Sequence, residues 1–290
     1  MRKLLVGLIG AGIGRSLTPA MQEEEARCHG LRLHYQLIDL DRTRDGAAAL
    51  PSLLAAARTM GFAGLNVTYP CKQAVVPLLD GLSEEARAMA AVNTVVFEHD
   101  DDGHCARAIG HNTDGSGWAW GLRRALPDAR LDRVALLGAG GAGSAIAHAL
   151  LRLGTQQLAI VDRDAARVGG LVRQLAALYG SLRVEACSDA AAALAGACGL
   201  VHATPTGMAK LPGLPLPEAL LRPDLWVSEI VYFPLDTALL KAARRIGCAT
   251  ADGGHMAVGQ AVGAFELFTG LSPEATRMEA HFRRLVASAR

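Results

Sequence analysis

Short apolar runs alternate with helical patterns along this chain, the layout of an α/β protein with parallel strands. Leu4–Ile9 reads as a strand and Pro19–His29 as a helix entered through Thr18 and Pro19. His34–Leu40 follows as a strand, Ala47–Met60 as an Ala/Leu-rich helix, and Gly64–Val67 as a short strand. Thr94–Glu98 and Ala106–Gly110 flank a turn at His99–Gly103 and predict a hairpin, with a helix over Gly115–Ala125 behind it. Pro127-Asp128 marks a break. From Arg133 the pattern is a regular β-α series: Val134–Leu137, Ala142–Leu153, Gln157–Val161, Ala165–Tyr179, Arg183–Ala186 and Leu200–Ala203. Pro and Gly crowd residues 205–217, which predicts a loop. Strand Leu225–Val231, helix Thr237–Ile246 and two closing helices, His255–Phe268 and Pro273–Ser288, complete the reading, with Ala190–Ala193 as a low-complexity tract.

The second half carries a phosphate-cradle pattern in the right context. Gly138-Ala139-Gly140-Gly141-Ala142-Gly143 follows an apolar strand and opens a helix. Glycines let the backbone turn tightly and approach a pyrophosphate, which rests on the unpaired N–H groups and positive dipole of the helix start. The next strand ends in Asp162, where an acid receives the adenosine ribose hydroxyls. The competing reading, Asp162 as a helix cap, is weakened because Asp164 is equally placed for that work. A carboxylate at Asp162 repels a 2′-phosphate, so NAD is favoured and NADP disfavoured; Arg163 pulls the other way.

Composition narrows the function classes. A chain of 290 residues suggests roughly two domains, and 51% hydrophobic residues are enough to fill two cores. A net charge of +1 argues against nucleic-acid binding, which usually needs a basic excess. Cys28, Cys71, Cys105, Cys187, Cys198 and Cys248 form no C-x-x-C pair and no metal-ligand spacing. They read as buried free thiols of a reducing compartment, with no metal site. Leu4–Gly14 is too short and glycine-broken for a signal segment, and no apolar run reaches the roughly 18 residues of a membrane helix. The expectation is a cytoplasmic protein acting on a small molecule, with no membrane or nucleic-acid partner; a homodimer stays open.

Lys72 stands out in a chain whose other lysines are Lys3, Lys210 and Lys241. Arg stays protonated at any working pH, whereas an amine gives up a proton when its surroundings favour the neutral form. Pro70 is expected at a first helical position, which places Lys72 in a first turn, where the helix dipole opposes an ammonium. A nearby carboxylate, with Asp114 as the candidate, would act in the opposite sense and poise the amine for acid–base work. Ser16 and Thr18 follow the turn Gly10–Gly14 and could hold a carboxylate, although Thr18 before Pro19 equally suits an N-cap. Asn66, Thr68 and Asn93 offer donors and acceptors for sugar-like hydroxyls or serve as turn residues, and Asp114 equally suits a helix cap.

The collinear motifs N-V-T-x-P-x-K from Asn66, A-V-N-T from Ala91, N-T-D-G from Asn112, G-A-G-G-A-G from Gly138 and G-G-x-M-x-x-x-Q from Gly253 resemble the shikimate dehydrogenase family. The resemblance covers nearly the whole chain. It implies a two-domain α/β fold with an active-site cleft between a substrate domain, residues 1–113 completed by helices over 256–290, and a Rossmann domain over 114–255. By the same resemblance, Ser16 and Thr18 bind the substrate carboxylate and Tyr232 approaches it. Asn66, Thr68, Asn93, Asp114 and Gln260 bind hydroxyls, and Lys72 is the acid–base group beside Asp114. Gly138 to Gly143 and Asp162 hold the dinucleotide, Thr204 lies along it, and Val231 and Met256 stand near the nicotinamide. Thr18 where Ser is usual, and Asp162-Arg163-Asp164 where NADP users carry Asn-Arg-Thr or similar, are closer to the NAD-dependent quinate/shikimate branch of catabolism than to the biosynthetic enzymes of the aromatic amino acids. Cys71, where an aromatic is commoner, and His202, where Asn is usual, bear on fine substrate preference. An aminoshikimate-type or low-activity paralogue shares most of these residues, and a non-catalytic NAD or metabolite sensor is the rival from another class.

Overall fold

The computed structural model describes residues 2–100, 102 and 104–288, apart from the Cys105 side chain. The chain divides into two compact units, Met1–Thr113 with Gln260–Arg290, and Asp114–Gly259.

The first unit begins with β1 (Lys3–Gly10), α1 (Thr18–Cys28) and β2 (Arg32–Asp39). Residues Val6 to Gly10 of β1 are all buried, as expected of a strand with parallel neighbours on both sides. A short 3-10 turn over Gly46–Ala49 precedes α2 (Leu50–Thr59), where a single helix was expected from Ala47. Then come β3 (Gly64–Val67), α3 (Cys71–Ala74), β4 (Gly81–Leu82), α4 (Glu84–Met89), β5 (Thr94–His99) and β6 (Cys105–His111). The sheet order is β2-β1-β3-β5-β6-β4; β1, β2 and β3 are mutually parallel, and β5 pairs antiparallel with both β3 and β6. The expected turn between β5 and β6 includes Asp101 and Gly103, which lie outside the described residues.

The second unit is a six-stranded, wholly parallel sheet. Its elements are α5 (Asp114–Ala125), β7 (Arg133–Leu137), α6 (Gly141–Arg152), β8 (Gln157–Val161), α7 (Ala165–Tyr179), β9 (Val184–Ala186), α8 (Ala190–Leu194), β10 (Gly199–His202), β11 (Trp226–Glu229), α9 (Ala238–Ile246) and β12 (Ala249–Ala251). The order β12-β11-β10-β7-β8-β9 is that of a doubly wound dinucleotide-binding sheet, whose direction of winding reverses between β7 and β10. Ala190–Ala193 belongs to α8, capped by Asp189 through the Ala192 N–H, so the tract is structured rather than low in information. Residues 158–161 of β8 and 200–201 of β10 are apolar without alternation because helices cover both faces of such a sheet.

α10 (Gly253–Thr269) contains the division between the units at Gly259, and α11 (Ala275–Ser288) closes the first unit. Arg277 of α11 grips the buried Glu25 of α1 through two N–H bonds at 2.8 and 2.5 Å, and the Glu274 N–H adds a third at 2.8 Å. Among the described residues no helix is long and apolar enough to cross a membrane. Cys71 and Cys248 are buried thiols as expected, whereas Cys28 is exposed and Cys187 and Cys198 are half-buried.

His148 on α6 is buried, its Nδ1 lies 3.3 Å from the Tyr179 hydroxyl, and its Nε2 has no hydrogen-bond partner. Burial, reinforced by Arg152, pushes its pKa down from 6.5 to about 4. The unfolded chain therefore takes up this proton first as pH falls, so stability is full above about 6.5 and declines toward pH 4. His148→Phe should remove roughly 2 kcal/mol of the acid loss at pH 5. Urea midpoints at pH 7 and pH 5 check this; equal acid losses in both proteins would refute it.

Candidate active site

In the first unit the carboxyl ends of β1 and β3 lie side by side, and the chain uses that edge to collect polar groups. Thr68 N–H donates to the Ile9 carbonyl and Ala11 N–H to the Tyr69 carbonyl, both at 2.9 Å. The approach is so close that a Cβ on Gly10 would stand 2.3 Å from Thr68 Cγ2, so only glycine fits there. α1 starts at Thr18 with Leu17 as its N-cap, so Thr18 is not the cap that its place before Pro19 suggested. Instead Ser16 Oγ accepts the Thr18 N–H at 3.3 Å, and both side chains are half-buried.

The expected hydroxyl-binding residues are joined by one buried network. The Tyr35 hydroxyl donates to Asn66 Oδ1 at 2.6 Å, and Asn66 Nδ2 donates to Thr94 Oγ1 at 3.0 Å and to the Asn93 carbonyl at 3.3 Å. Thr94 Oγ1 in turn donates to Asn93 Oδ1 at 2.9 Å. Thr113 N–H, an unambiguous donor, reaches the same Asn93 oxygen at 2.8 Å, which fixes the orientation of the amide. Asn93 Nδ2 donates to Thr113 Oγ1 at 3.0 Å, and that hydroxyl donates to the Gln260 carbonyl at 3.1 Å. Asn66 thus commits its amide to the framework, which makes it a support for Asn93 more than an independent ligand group. Sequence reading gave no role to Tyr35, Thr94 and Thr113; Thr94 and Thr113 stand inside the A-V-N-T and N-T-D-G motifs, and nothing local singled out Tyr35. Tyr35→Phe leaves the Asn66 oxygen without that donor and should cost about 1–3 kcal/mol of stability. An unchanged denaturant midpoint would show that the bond contributes nothing.

Lys72 lies in α3, a single turn whose N-cap is Pro70, not a helix with Pro70 at its first position. Four residues align too few peptide dipoles for the helix-start effect expected from sequence. What fixes Lys72 is its backbone: its carbonyl accepts the Val92 N–H at 2.8 Å, one residue before Asn93, while neighbouring Cys71 is fully buried. The Lys72 side chain is half-buried, with Thr68, Asn66 and Asn93 carried by the adjoining strand ends. Asp114 opens α5 in the second unit and is 5% exposed.

In the second unit the glycines separate by role. Gly138 follows β7 at φ +108°, and a Cβ there would lie 2.5 Å from the Ala203 carbonyl. A Cβ on Gly143 would lie 2.0 Å from the Gly138 carbonyl. These two glycines let the turn pack against the end of β10 and against α6. A Cβ on Gly140 or Gly141 would instead meet no protein atom within 4 Å. Gly140 is the N-cap of α6 without a side-chain hydrogen bond, and its first turn has no acid. Exposed N–H groups, a positive helix end and glycines that leave room for a close ligand fit a pyrophosphate.

Asp162 follows β8 beside this turn. Its Oδ2 accepts the Ala139 N–H at 2.7 Å and its Oδ1 the Asp164 N–H at 3.1 Å. Burial alone would push its pKa up, but these N–H groups outweigh burial and hold the carboxyl below its usual range. Capping of α7 falls to Asp164, whose Oδ1 accepts the Arg167 N–H at 3.0 Å. Arg163 is exposed. At the other half of the sheet, Thr204 follows β10 and Val231 follows β11. A Cβ on Gly253 would meet the Val231 carbonyl at 2.4 Å, so α10 starts against the end of β11, with half-buried Met256 in its first turn. Tyr232 is 40% exposed beside Val231. His202 and Glu229, both buried, form a pair that sequence reading did not connect. Among the described residues there is no cluster of three or more His, Cys, Asp or Glu arranged to hold a metal ion.

The model for the shikimate dehydrogenase substrate binding domain matches residues 8–95. A shikimate dehydrogenase (NADP(+)) of Streptomyces avermitilis is 55% identical over 287 residues, 98% of this chain and 97% of that protein. The chain belongs to the shikimate dehydrogenase family. Within that family, a quinate/shikimate dehydrogenase (NAD(+)) of Corynebacterium efficiens is 46% identical over 97% of this chain and 98% of its own length. A quinate dehydrogenase from Corynebacterium glutamicum, solved in complex with NAD, superposes with a TM-score of 0.91 at 45% identity, covering 98% of this chain and all of that one. The ThiF family model matches residues 123–205, the stretch holding the glycine turn and Asp162. Shikimate dehydrogenase family membership accounts for the two-unit α/β architecture, with its mixed and its wholly parallel sheet.

Proposed function

We propose that this protein catalyses reversible hydride transfer between NAD and the hydroxyl-bearing ring carbon of shikimate or quinate. The first unit serves as the substrate unit and the second as the NAD unit. When bound, NAD supplies the hydride acceptor. Lys72 takes the hydroxyl proton in oxidation and returns it to the developing alkoxide in reduction, with Asp114 orienting the hydroxyl. Asn93, held by the Tyr35–Asn66–Thr94 network, joins Thr68 and Gln260 at the ring hydroxyls, and Ser16, Thr18 and Tyr232 take the carboxylate.

The preference for NAD rests on one observation. The Asp162 carboxylate stands at the end of β8 and is tied to the glycine turn through the Ala139 N–H. A negative charge there suits the ribose hydroxyls and opposes a 2′-phosphate. The 55%-identical Streptomyces relative is named for NADP, and exposed Arg163 would suit a phosphate, so NADP use is the alternative. Initial rates with quinate and shikimate, each against NAD and NADP, test the reading. Asp162→Asn keeps an oxygen for the Ala139 N–H while removing the charge. It should shift the NAD/NADP ratio of kcat/KM toward NADP by roughly tenfold, about 1.4 kcal/mol. An unchanged ratio would remove Asp162 from cofactor choice, and no turnover of either acid with either cofactor would refute the activity.

A further inference from the structure

The ends of β10 and β11 are tied together by a fully buried His–Glu pair. His202 Nδ1 lies 2.9 and 3.0 Å from the two Glu229 oxygens, and both side chains are wholly buried. Glu229 Oε1 also accepts the Ile230 and Val231 N–H groups at 2.9 and 3.0 Å, and Oε2 accepts the Thr237 hydroxyl at 3.1 Å. Every partner of this carboxylate is a donor, so the Nδ1 proton of His202 points at Glu229. The opposite ring nitrogen, Nε2, meets Thr204 Oγ1 at 2.5 Å. The Thr206 N–H also approaches that oxygen, at 3.4 Å.

One carboxylate therefore fixes two loops at once: the turn after β11 by direct bonds, and the turn after β10 through the imidazole. In a doubly wound sheet each half of the strand set serves one mononucleotide. β7 and β8, with Asp162, form the adenosine half, so β10 and β11 face the other. We infer that the His202–Glu229 pair is a positioning device for the nicotinamide half of the dinucleotide, acting through Thr204 Oγ1 and the Val231 backbone. This inference rests on the NAD reading above and goes beyond it by naming residues that touch no ligand. The pair is costly to bury unless it is fully hydrogen-bonded, and here both members are.

The test is binding, measured by calorimetry on the full chain with NADH and with ADP-ribose, which lacks the nicotinamide. His202→Asn is too short to span Glu229 and Thr204. It should raise the Kd for NADH on the order of tenfold and leave the ADP-ribose Kd within about twofold, since only one half of the site is disturbed. Thr204→Val should give the same split, and the double variant should be no worse than the worse single, because both remove one linkage. If the NADH and ADP-ribose affinities move together, or neither moves, the pair is structural only and the inference falls. Additive effects in the double variant would equally overturn action through Thr204. Should His202→Asn fail to fold, the split in Thr204→Val decides alone. A wild-type chain that binds neither ligand would instead refute the NAD reading.

Discussion

Lys72→Ala should lower kcat by a factor on the order of 10²–10⁴ while leaving NADH affinity within about twofold. The side chain is half-buried on a one-turn helix whose place is fixed by backbone bonds and by buried Cys71, so truncation leaves the helix anchored. What it removes is the amine proposed to carry the proton. Lys72→Arg should fail to restore activity, because a guanidinium keeps its proton at every working pH and cannot act as the base. Initial rates with shikimate and quinate, together with NADH titration of each variant, check both parts. Turnover near the wild-type level in Lys72→Ala would end the proton-transfer role. A matching loss of NADH affinity would point to a packing defect instead.

What the sequence made legible follows from how each feature is encoded. The glycine turn, its strand and Asp162 are local: a few residues at fixed spacing carry the whole signal, and the structure places them in that order around β7, α6 and β8. The same holds for the strand-helix alternation, because apolar runs and helical periods are properties of short windows. Short elements were lost for the complementary reason. β4 has two residues and α4 six, too few for any period to register, and both depend on packing against β6. The Tyr35–Asn66 bond joins residues 31 positions apart, and His202–Glu229 joins residues 27 apart. Nothing in the local pattern around either member names its partner, and only the strand order brings the partners together. Thr18 and Pro70 show a finer limit: capping preference named the right neighbourhoods, but the helix starts were displaced by one residue.

The glycine turn yields the other large effect, and it separates two reasons for keeping glycine. A Cβ on Gly143 would lie 2.0 Å from the Gly138 carbonyl, about 1 Å inside any tolerable contact, so α6 or the turn must move. Gly143→Ala should therefore destabilise the protein by about 1–3 kcal/mol or more. It should also weaken NADH on the order of 10²-fold, since a shift of that size misplaces the N–H groups that would hold the phosphates. Gly140→Ala should behave differently. Its φ of −75° and ψ of −171° suit any residue, and the added Cβ meets no protein atom within 4 Å. Stability should stay within about 1 kcal/mol of the wild type, because the unfolded-chain freedom that alanine removes is offset by its poorer fit at an N-cap. NADH affinity should nonetheless fall at least roughly tenfold, because the methyl occupies the approach of the pyrophosphate to the start of α6. Denaturant midpoints and NADH titrations of the two variants give four numbers. If Gly140→Ala loses stability without losing affinity, the glycine serves the protein and the turn is no phosphate cradle. If Gly143→Ala keeps both, the close packing of the turn on α6 is not what orders it.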